Sequence, residues 1–192
     1  EGGEMNILVV GYGGQGVITL AHVIGRAAFK EGFDVKQAEL HGLSQRMGSL
    51  QCHVRIGKKV FSPMSRKKDV DVVIALELTE ALRAEPYASK EKTKLLANKK
   101  ILKDDPLGED LDERVVEEKL REIYKEVEIV DVEKKIKEIG GNVTMTNTFM
   151  LAYAVKKGYL PISKEKAWEA LSEKIRPTFL EDNKKIFEKA FE

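Results

Sequence analysis

The sequence predicts an α/β fold: three layers around a Rossmann-like mixed sheet, with a β-hairpin after the first β-α-β unit and a helical C-terminal end. Three observations predict it. Asn6-Ile7-Leu8-Val9-Val10 is a continuous apolar run, the pattern of a strand buried on both faces. It leads directly into Gly11-Tyr12-Gly13-Gly14-Gln15-Gly16, a turn with the spacing G-x-G-x-x-G that opens a helical period. The C-terminal third carries repeated helix start and stop signals.

After the glycines, Val17, Leu20, Ala21, Ile24, Ala27 and Ala28 fall on one helical face, and Gly32 is placed to end the helix. Phe33 to Glu39 reads as a second strand, so residues 6–39 form a β-α-β unit with the usual right-handed crossover. Leu50 to Ile56 alternates apolar Cys52, Val54 and Ile56 with His53 and Arg55, a strand pattern. Gly57-Lys58-Lys59 is expected to turn it into Val60-Phe61, a hairpin where a second crossover helix would stand in a plain dinucleotide fold. Asp71–Leu76 is a further buried strand, followed by helical Glu77–Arg83. Leu95-Leu96-Ala97 and Ile101-Leu102 read as short strands around a basic Lys99-Lys100 turn. Leu111, Val115, Leu120, Ile123 and Val127 hold one helical face, with Glu117 and Arg121 as an i,i+4 pair. Glu128–Val132 is expected as a strand and Glu133–Ile139 as a helix ended by Gly140-Gly141. Asn142 is placed to cap a largely apolar helix from Val143 to Lys157, stopped by Gly158 and Pro161. Ser163 caps the next helix, with Ala167, Trp168, Leu171 and Ile175 inward. Thr178 with Glu181 forms a capping box for the last one, which carries Ile186, Phe187, Ala190 and Phe191. One domain over 1–192 is expected, with residues 1–4 a remnant or a ragged start.

Composition narrows the function classes. With 33 Lys and Arg against 32 Asp and Glu in 192 residues, the formal net charge is +1, which gives no support to a nucleic-acid or membrane-surface partner. The surface, rich in Lys and Glu, suits a heat-adapted protein. No apolar run reaches the roughly 20 residues that span a bilayer, and the expected location is the cytoplasm. The single Cys52 excludes an internal disulfide framework, and excludes an iron–sulfur cluster held by this chain alone, which needs about four thiolates.

Two segments carry candidate chemistry. In the glycine turn, Gly11 permits the tight exit from the strand, Gly13 and Gly14 let the backbone approach a ligand, and Gly16 allows close helix–strand packing. The N–H groups at the helix start then suit an anion. Dinucleotide binding would also need an acid at the end of the second strand. Glu39 is available and Asp34 comes too early, but the expected hairpin stands against that reading. The other readings are turn and packing chemistry alone, or an anion or partner contact. The second segment is His41-Gly42-Leu43-Ser44-Gln45-Arg46-Met47-Gly48-Ser49, expected at the same carboxyl end of the sheet. Ser44 and Gln45 offer uncharged hydrogen-bonding groups, Arg46 a planar fork for carboxylate or phosphate, and Gly48 a compact backbone. Taken alone, this segment is better read as a solvated loop stabilised by turn chemistry.

The remaining candidates read as structural. His22 falls on the outer side of its helix, His53 reads as cross-strand packing, and Cys52 as a small core residue. The three histidines lack metal-ligand spacing. Arg66-Lys67-Lys68 reads as a solvated loop, and Asn147, inside an apolar helix, is expected to bond a buried partner or an interface. G-x-S-x-G, the P-loop Lys and H-E-x-x-H are absent from the sequence.

Val10-Gly11-Tyr12-Gly13-Gly14-Gln15-Gly16-Val17 resembles the opening of the gamma subunit, or gamma domain, of 2-oxoacid:ferredoxin oxidoreductases, in which Gly13-Gly14-Gln15-Gly16 is the recurring core. Glu39 to Ser49, running into His53-Val54-Arg55-Ile56-Gly57, resembles the indolepyruvate branch, specifically its beta subunit. Asn147 to Leu151 is similar to the family's asparagine-bearing helix. Met47 stands where the family often has a second glycine, and makes the loop bulkier. The resemblance covers nearly the whole chain. It implies a holoenzyme that oxidatively decarboxylates an aryl 2-oxoacid such as indolepyruvate to an acyl-CoA, using thiamine diphosphate with Mg²⁺, coenzyme A and iron–sulfur clusters, and that reduces ferredoxin. The sequence lacks a Gly-Asp-Gly segment with a downstream Asn for thiamine diphosphate. These groups are therefore expected on a larger partner subunit, and this chain as an accessory subunit, inactive alone. Gly11, Gly13, Gly14, Gln15, Gly16, His41, Ser44, Gln45, Arg46, Gly48, Ser49 and Asn147 are the expected cofactor-binding or interface residues, with no catalytic or metal-ligating residue on this chain.

Overall fold

The computed structural model describes residues 3–41, 48–101 and 111–192. Its strands are β1 (Met5–Tyr12), β2 (Asp34–His41), β3 (Ser49–Gly57), β4 (Val72–Ala75), β5 (Lys94–Asn98) and β6 (Glu126–Val130), in one sheet of order β2-β3-β1-β4-β5-β6. Parallel pairing joins β1, β4, β5 and β6, while β3 runs antiparallel to both β1 and β2. The expected β-α-β unit is present, with β3 inserted between its two strands.

The apolar run of β1 is explained by layers on both faces. Ile7 and Val9 pack with Cys52, Val54 and Ile56 of β3 beneath α1 (Val17–Lys30), α5 (Thr146–Lys156), α6 (Lys164–Ser172) and α7 (Leu180–Lys189). Leu8 and Val10 pack on the opposite face with Val73, Leu95, Ala81 of α2 (Leu78–Arg83) and Val116 and Leu120 of α3 (Glu113–Ile123). The remaining helix, α4 (Val132–Ile139), adds Val132 and Ile136 to the first face.

Several elements differ from expectation. The hairpin is formed by β2 and β3, and Val60-Phe61 is not a strand. Both edges of β3 are already paired, so no ladder is free for a returning segment. The chain leaves the sheet instead: the Val60 N–H donates to Asp34 Oδ2 (2.8 Å), and the Arg55 guanidinium donates to the Ser62 carbonyl (2.9 Å). The helix expected to reach Val127 stops at Ile123, because Tyr124 turns inward and donates its hydroxyl to the Ala81 carbonyl (2.7 Å). Val127 then enters β6, which lies two residues earlier than expected, and Asp131 caps α4 by accepting from the Lys134 N–H (3.0 Å). Glu117 lies 3.5 Å from Lys99. Ile101 is outside the sheet, and Leu102 lies outside the described residues. The Asn142 cap forms, but on a 3-10 turn, Val143–Met145, that leads into α5. Ser163 caps α6 as expected (3.2 Å to the Lys166 N–H). The Thr178–Glu181 box does not form: a 3-10 turn at Pro177–Phe179 delivers the chain into α7, and Asn183 donates back to the Phe179 carbonyl (2.9 Å).

Candidate functional site

Strands β1, β4, β5 and β6 all end at one edge, and Tyr12 pairs there with Ser49 while His41 pairs with Leu50. The glycine turn and the β2–β3 connection therefore rise from the same carboxyl edge, where open α/β sheets bind ligands.

The glycine turn is tied down by its own residues. The Tyr12 N–H donates to Gln15 Oε1 (2.8 Å) and the Gln15 N–H donates to the Tyr12 carbonyl (3.1 Å). A Cβ on Gly11 would stand 2.8 Å from both Gln15 Oε1 and Val17 Cγ2, which explains its glycine. Gly13 donates its N–H to the Gly48 carbonyl (3.0 Å), joining the turn to the base of the second loop. Gly14 and Gly16 are left-handed, with φ of 89° and 83°.

Asn147, from the first turn of α5, closes the turn from outside. Its Nδ2 donates to the Gln15 and Gly16 carbonyls, each at 3.2 Å. Two acceptors on that side fix the amide's orientation and turn Oδ1 away, buried and without a partner among the described residues. Helix α1 starts at Val17 with no side-chain cap and no acidic residue in its first turn. Among the described residues, therefore, no side chain caps its N-terminal N–H groups. A cleft of about 390 Å³ opens here, lined by Gly14, Gln15, Gly16, Leu76, Asn98, Lys100, Val143, Thr144, Thr146 and Asn147. Asn98 braces its floor, donating to the Leu76 carbonyl (3.4 Å) and accepting from the Val132 N–H (3.3 Å), while Lys100 pairs with Glu133 at 2.7 Å.

On the other side of the turn a part-buried polar chain runs through Glu80. Ser49 Oγ donates to Glu80 Oε2 (2.5 Å), Arg83 Nη1 donates to Glu80 Oε1, and the same nitrogen donates to the Tyr12 hydroxyl (2.7 Å). Glu80 is fully buried, and its N–H is received by the equally buried Glu77 at 2.6 Å. Burial raises the Glu77 carboxyl above its ordinary range.

Of the expected residues, Gly11, Gly13, Gly14, Gln15, Gly16, Gly48, Ser49 and Asn147 meet around the turn. Ser44, Gln45 and Arg46 lie outside the described residues. His41 is exposed on β2, its Nε2 3.6 Å from Glu39 Oε2, while His22 lies 3.5 Å from the other Glu39 oxygen. Glu39 thus sits on the edge strand with β3 between it and β1, too far over to serve as the acid of a dinucleotide fingerprint. Cys52 is core, its thiol pushed up to about 12 by burial. His53 is fully buried edge-on against Tyr87 (4.8 Å), held neutral at about 4, and accepts weakly from the Ser65 N–H at 3.4 Å. The residues missed by sequence reasoning are Glu80, Arg83, Tyr12, Asn98 and Lys100. The one signal available for them was a pair of acids, Glu77 and Glu80, directly after the buried strand β4.

Comparison with known proteins places this edge in context. The model of the pyruvate ferredoxin/flavodoxin oxidoreductase family matches residues 6–192. A protein of Archaeoglobus fulgidus named indolepyruvate oxidoreductase subunit IorB is 34% identical, over 98% of this chain and 94% of its own. Its namesake in Pyrococcus horikoshii is 33% identical, over 96% and 93%. The pyruvate/ketoisovalerate oxidoreductases common subunit gamma of Thermococcus kodakarensis is 29% identical, over 94% and 92%. The fold is shared with the gamma subunit of a keto/oxoacid ferredoxin oxidoreductase from Geobacter sulfurreducens (TM-score 0.68, 23% identity, 98% of this chain and 95% of that one). It also matches 31% of a chain of the 2-oxoglutarate:ferredoxin oxidoreductase from Magnetococcus marinus, solved with 2-oxoglutarate, coenzyme A and succinyl-CoA (TM-score 0.73, 19% identity, 99% of this chain). With the family model matching nearly end to end, the chain belongs to the pyruvate ferredoxin/flavodoxin oxidoreductase family.

Proposed function

We propose that this chain is the small subunit of a 2-oxoacid:ferredoxin oxidoreductase of the indolepyruvate branch, and that its carboxyl edge completes the coenzyme A region of a site centred on a larger subunit. The holoenzyme would oxidatively decarboxylate an aryl 2-oxoacid to its acyl-CoA and CO₂, passing the electrons to ferredoxin. The relatives named for indolepyruvate support that branch, being 33–34% identical over nearly their full length.

The observation that carries the reading is the buried, unpartnered Asn147 Oδ1 beside the uncapped start of α1, in one cleft. An unpaired buried acceptor costs free energy until a donor reaches it. The α1 N–H groups suit a phosphate, and Asn147 Oδ1 can accept from an amide or hydroxyl. Coenzyme A combines these groups and would supply the thiol that receives the acyl group; this chain would bind and orient it. The other cofactors do not fit these residues. The one cysteine is a buried thiol raised to about 12. Among the described residues no three His, Cys, Asp or Glu side chains are grouped to hold a metal. In this reading thiamine diphosphate, Mg²⁺ and the clusters belong to the larger subunit, as the family resemblance implies.

Arg46→Ala, made in the complex with its larger subunit, tests the reading. Losing one charge-assisted contact to a phosphate should raise the coenzyme A KM roughly tenfold with assembly intact. Unchanged assembly and unchanged coenzyme A kinetics would sink it. Loss of assembly with normal coenzyme A kinetics would point to a purely structural subunit, and micromolar NADH binding by the isolated chain to a free-standing oxidoreductase.

A further inference from the structure

We infer that the second face of the β2–β3 ladder, with the basic segment that leads from β3 to β4, is the surface on which this chain docks a carboxylate-bearing segment of the larger subunit. The inference rests on the reading of the chain as a small subunit and adds to it a surface and its charge. It does not depend on the coenzyme A cleft.

The sheet is covered unevenly. On the first face α1 packs on β1, β2 and β3. On the second, α2 packs on β1, β4 and β5, and α3 on β6. The apolar cluster of that second face draws no residue from β2 or β3. The register pairs Lys36 with Arg55, Ala38 with His53 and Leu40 with Gln51. Since Cys52, Val54 and Ile56 face the first layer, strand alternation turns these six to the second. The segment between β3 and β4 covers two of them. The Arg55 guanidinium donates to the Ser62 and Met64 carbonyls (2.9 and 3.4 Å), and the Ser65 N–H donates to His53 Nδ1 (3.4 Å). Lys36 and Leu40 stay exposed, and Ala38 and Gln51 half-buried. From Asp34 to Leu40 this strip is about 20 Å long at roughly 3.3 Å per residue.

An antiparallel ladder can leave one face to water, but this face is not composed for water. Residues 57–68 hold five of the chain's 33 Lys and Arg and none of its 32 Asp and Glu. Lys68 pairs with Glu85 at 2.6 Å, and Lys59 lies 5.1 Å over the Phe61 ring. Lys58, Arg66 and Lys67 have no acidic partner among the described residues. Phe61, at 79%, is the most exposed large apolar side chain among those residues. The backbone that carries it is held in place. The Val60 N–H is bound by Asp34 and the Lys68 N–H by the Pro86 carbonyl (3.1 Å), and Lys68 is kept left-handed at φ 59°. An aromatic side chain held out on a fixed backbone, with unpaired cations at its margin, is the composition of a protein-binding patch. The charge then selects the partner. With five cations here, the rest of the chain is net negative, so a nucleic acid or an anionic membrane would meet repulsion beyond the strip. Carboxylates on a protein segment of the strip's own length complement it without that cost. Leu40 is one residue from the carboxyl end of β2, so the strip runs on to the edge where the larger subunit is proposed to bind.

The experiment measures the affinity of the full chain for its purified larger subunit by surface plasmon resonance at low and high salt. Phe61→Ser should weaken binding roughly tenfold, as loss of an aromatic anchor does. Arg66→Glu with Lys67→Glu should weaken it at least roughly tenfold at low salt, chiefly through slower association, and much less at about 0.5 M salt. Phe29→Ser removes another exposed ring, on α1, and should leave the affinity unchanged. All these side chains lie at the surface, so the variants should melt with the parent. Parent affinity in both Phe61→Ser and the double charge reversal overturns the inference, as does equal weakening by Phe29→Ser. Self-association of the isolated chain that Phe61→Ser abolishes would assign the strip to a second copy, and a raised ferredoxin KM with full assembly would assign it to the electron acceptor. Either result overturns the inference. A parent chain that does not bind the larger subunit defeats the proposed function as well, whereas variants that bind as tightly as a binding parent defeat the inference alone.

Discussion

Replacing Gly16 by alanine should be far more damaging than replacing Gly14, although both glycines are left-handed. At φ 83° and 89° respectively, each alanine pays the left-handed penalty of roughly 1–2 kcal/mol. Around Gly14 nothing lies within 4 Å of the added Cβ, so the cost ends there. At Gly16 the Cβ would lie 2.3 Å from Asn147 Nδ2, so that side chain must move and its two hydrogen bonds to the Gln15 and Gly16 carbonyls are lost. At about 0.5–1.5 kcal/mol each, those bonds add roughly 1–3 kcal/mol. The entropy lost from the unfolded chain by each Gly→Ala change is shared and cancels in the comparison. For a chain of this size the difference corresponds to a melting temperature lower by roughly 2–12 °C in Gly16→Ala than in Gly14→Ala. Thermal unfolding followed by far-UV circular dichroism measures it. Pairing Gly16→Ala with Asn147→Ala should cost less than the sum of the two single changes, since the clash is removed with the amide. Equal melting temperatures for the two glycine variants, or strict additivity in the pair, would refute the assignment of Asn147 as the clamp on the turn.

His53 makes stability depend on pH. The unfolded side chain titrates near 6.5 and the buried one is held at about 4, so below pH 6.5 the unfolded chain takes up a proton that the native state refuses. Stability should therefore fall by up to about 3 kcal/mol between pH 6.5 and 4 and then level off with respect to this group; urea titrations of His53→Phe against the parent should show that slope removed, and parallel slopes would refute it. Cys52, with its thiol at about 12 and its side chain in the core, should resist iodoacetamide at pH 8 in the native state and react only on unfolding, as mass spectrometry of the alkylated chain would report.

What could be read from the chain alone was whatever is local. The run 6–10, the turn at Gly11–Gly16 and the caps at Asn142 and Ser163 depend on neighbours a few residues away, and each stands where expected. Strand partnership does not have that property. Val60-Phe61 has the composition of a returning strand, but the decisive fact is that β1 and β2 already occupy both edges of β3. The site divides in the same way. Asn147 stood out as a polar residue in an apolar helix, yet its partner is 131 residues distant, so only its anomaly was visible. Glu80 showed only as one of two acids after β4, and an acid in a short helix is ordinary until Ser49 and Arg83 are seen to enclose it.

The insertion of β3 between β1 and β2 has an evolutionary consequence. Eight residue pairs hold β3 to β1 and eight hold β2 to β3, so both stems of the intervening loop are anchored independently of its contents. A slip of one residue would exchange Cys52, Val54 and Ile56 with His53 and Arg55 across the sheet, which the two ladders together forbid. The loop can therefore gain, lose or exchange residues without transmitting the change to the core. A connection held in this way is free to diversify while the sheet beneath it drifts slowly, constrained by packing.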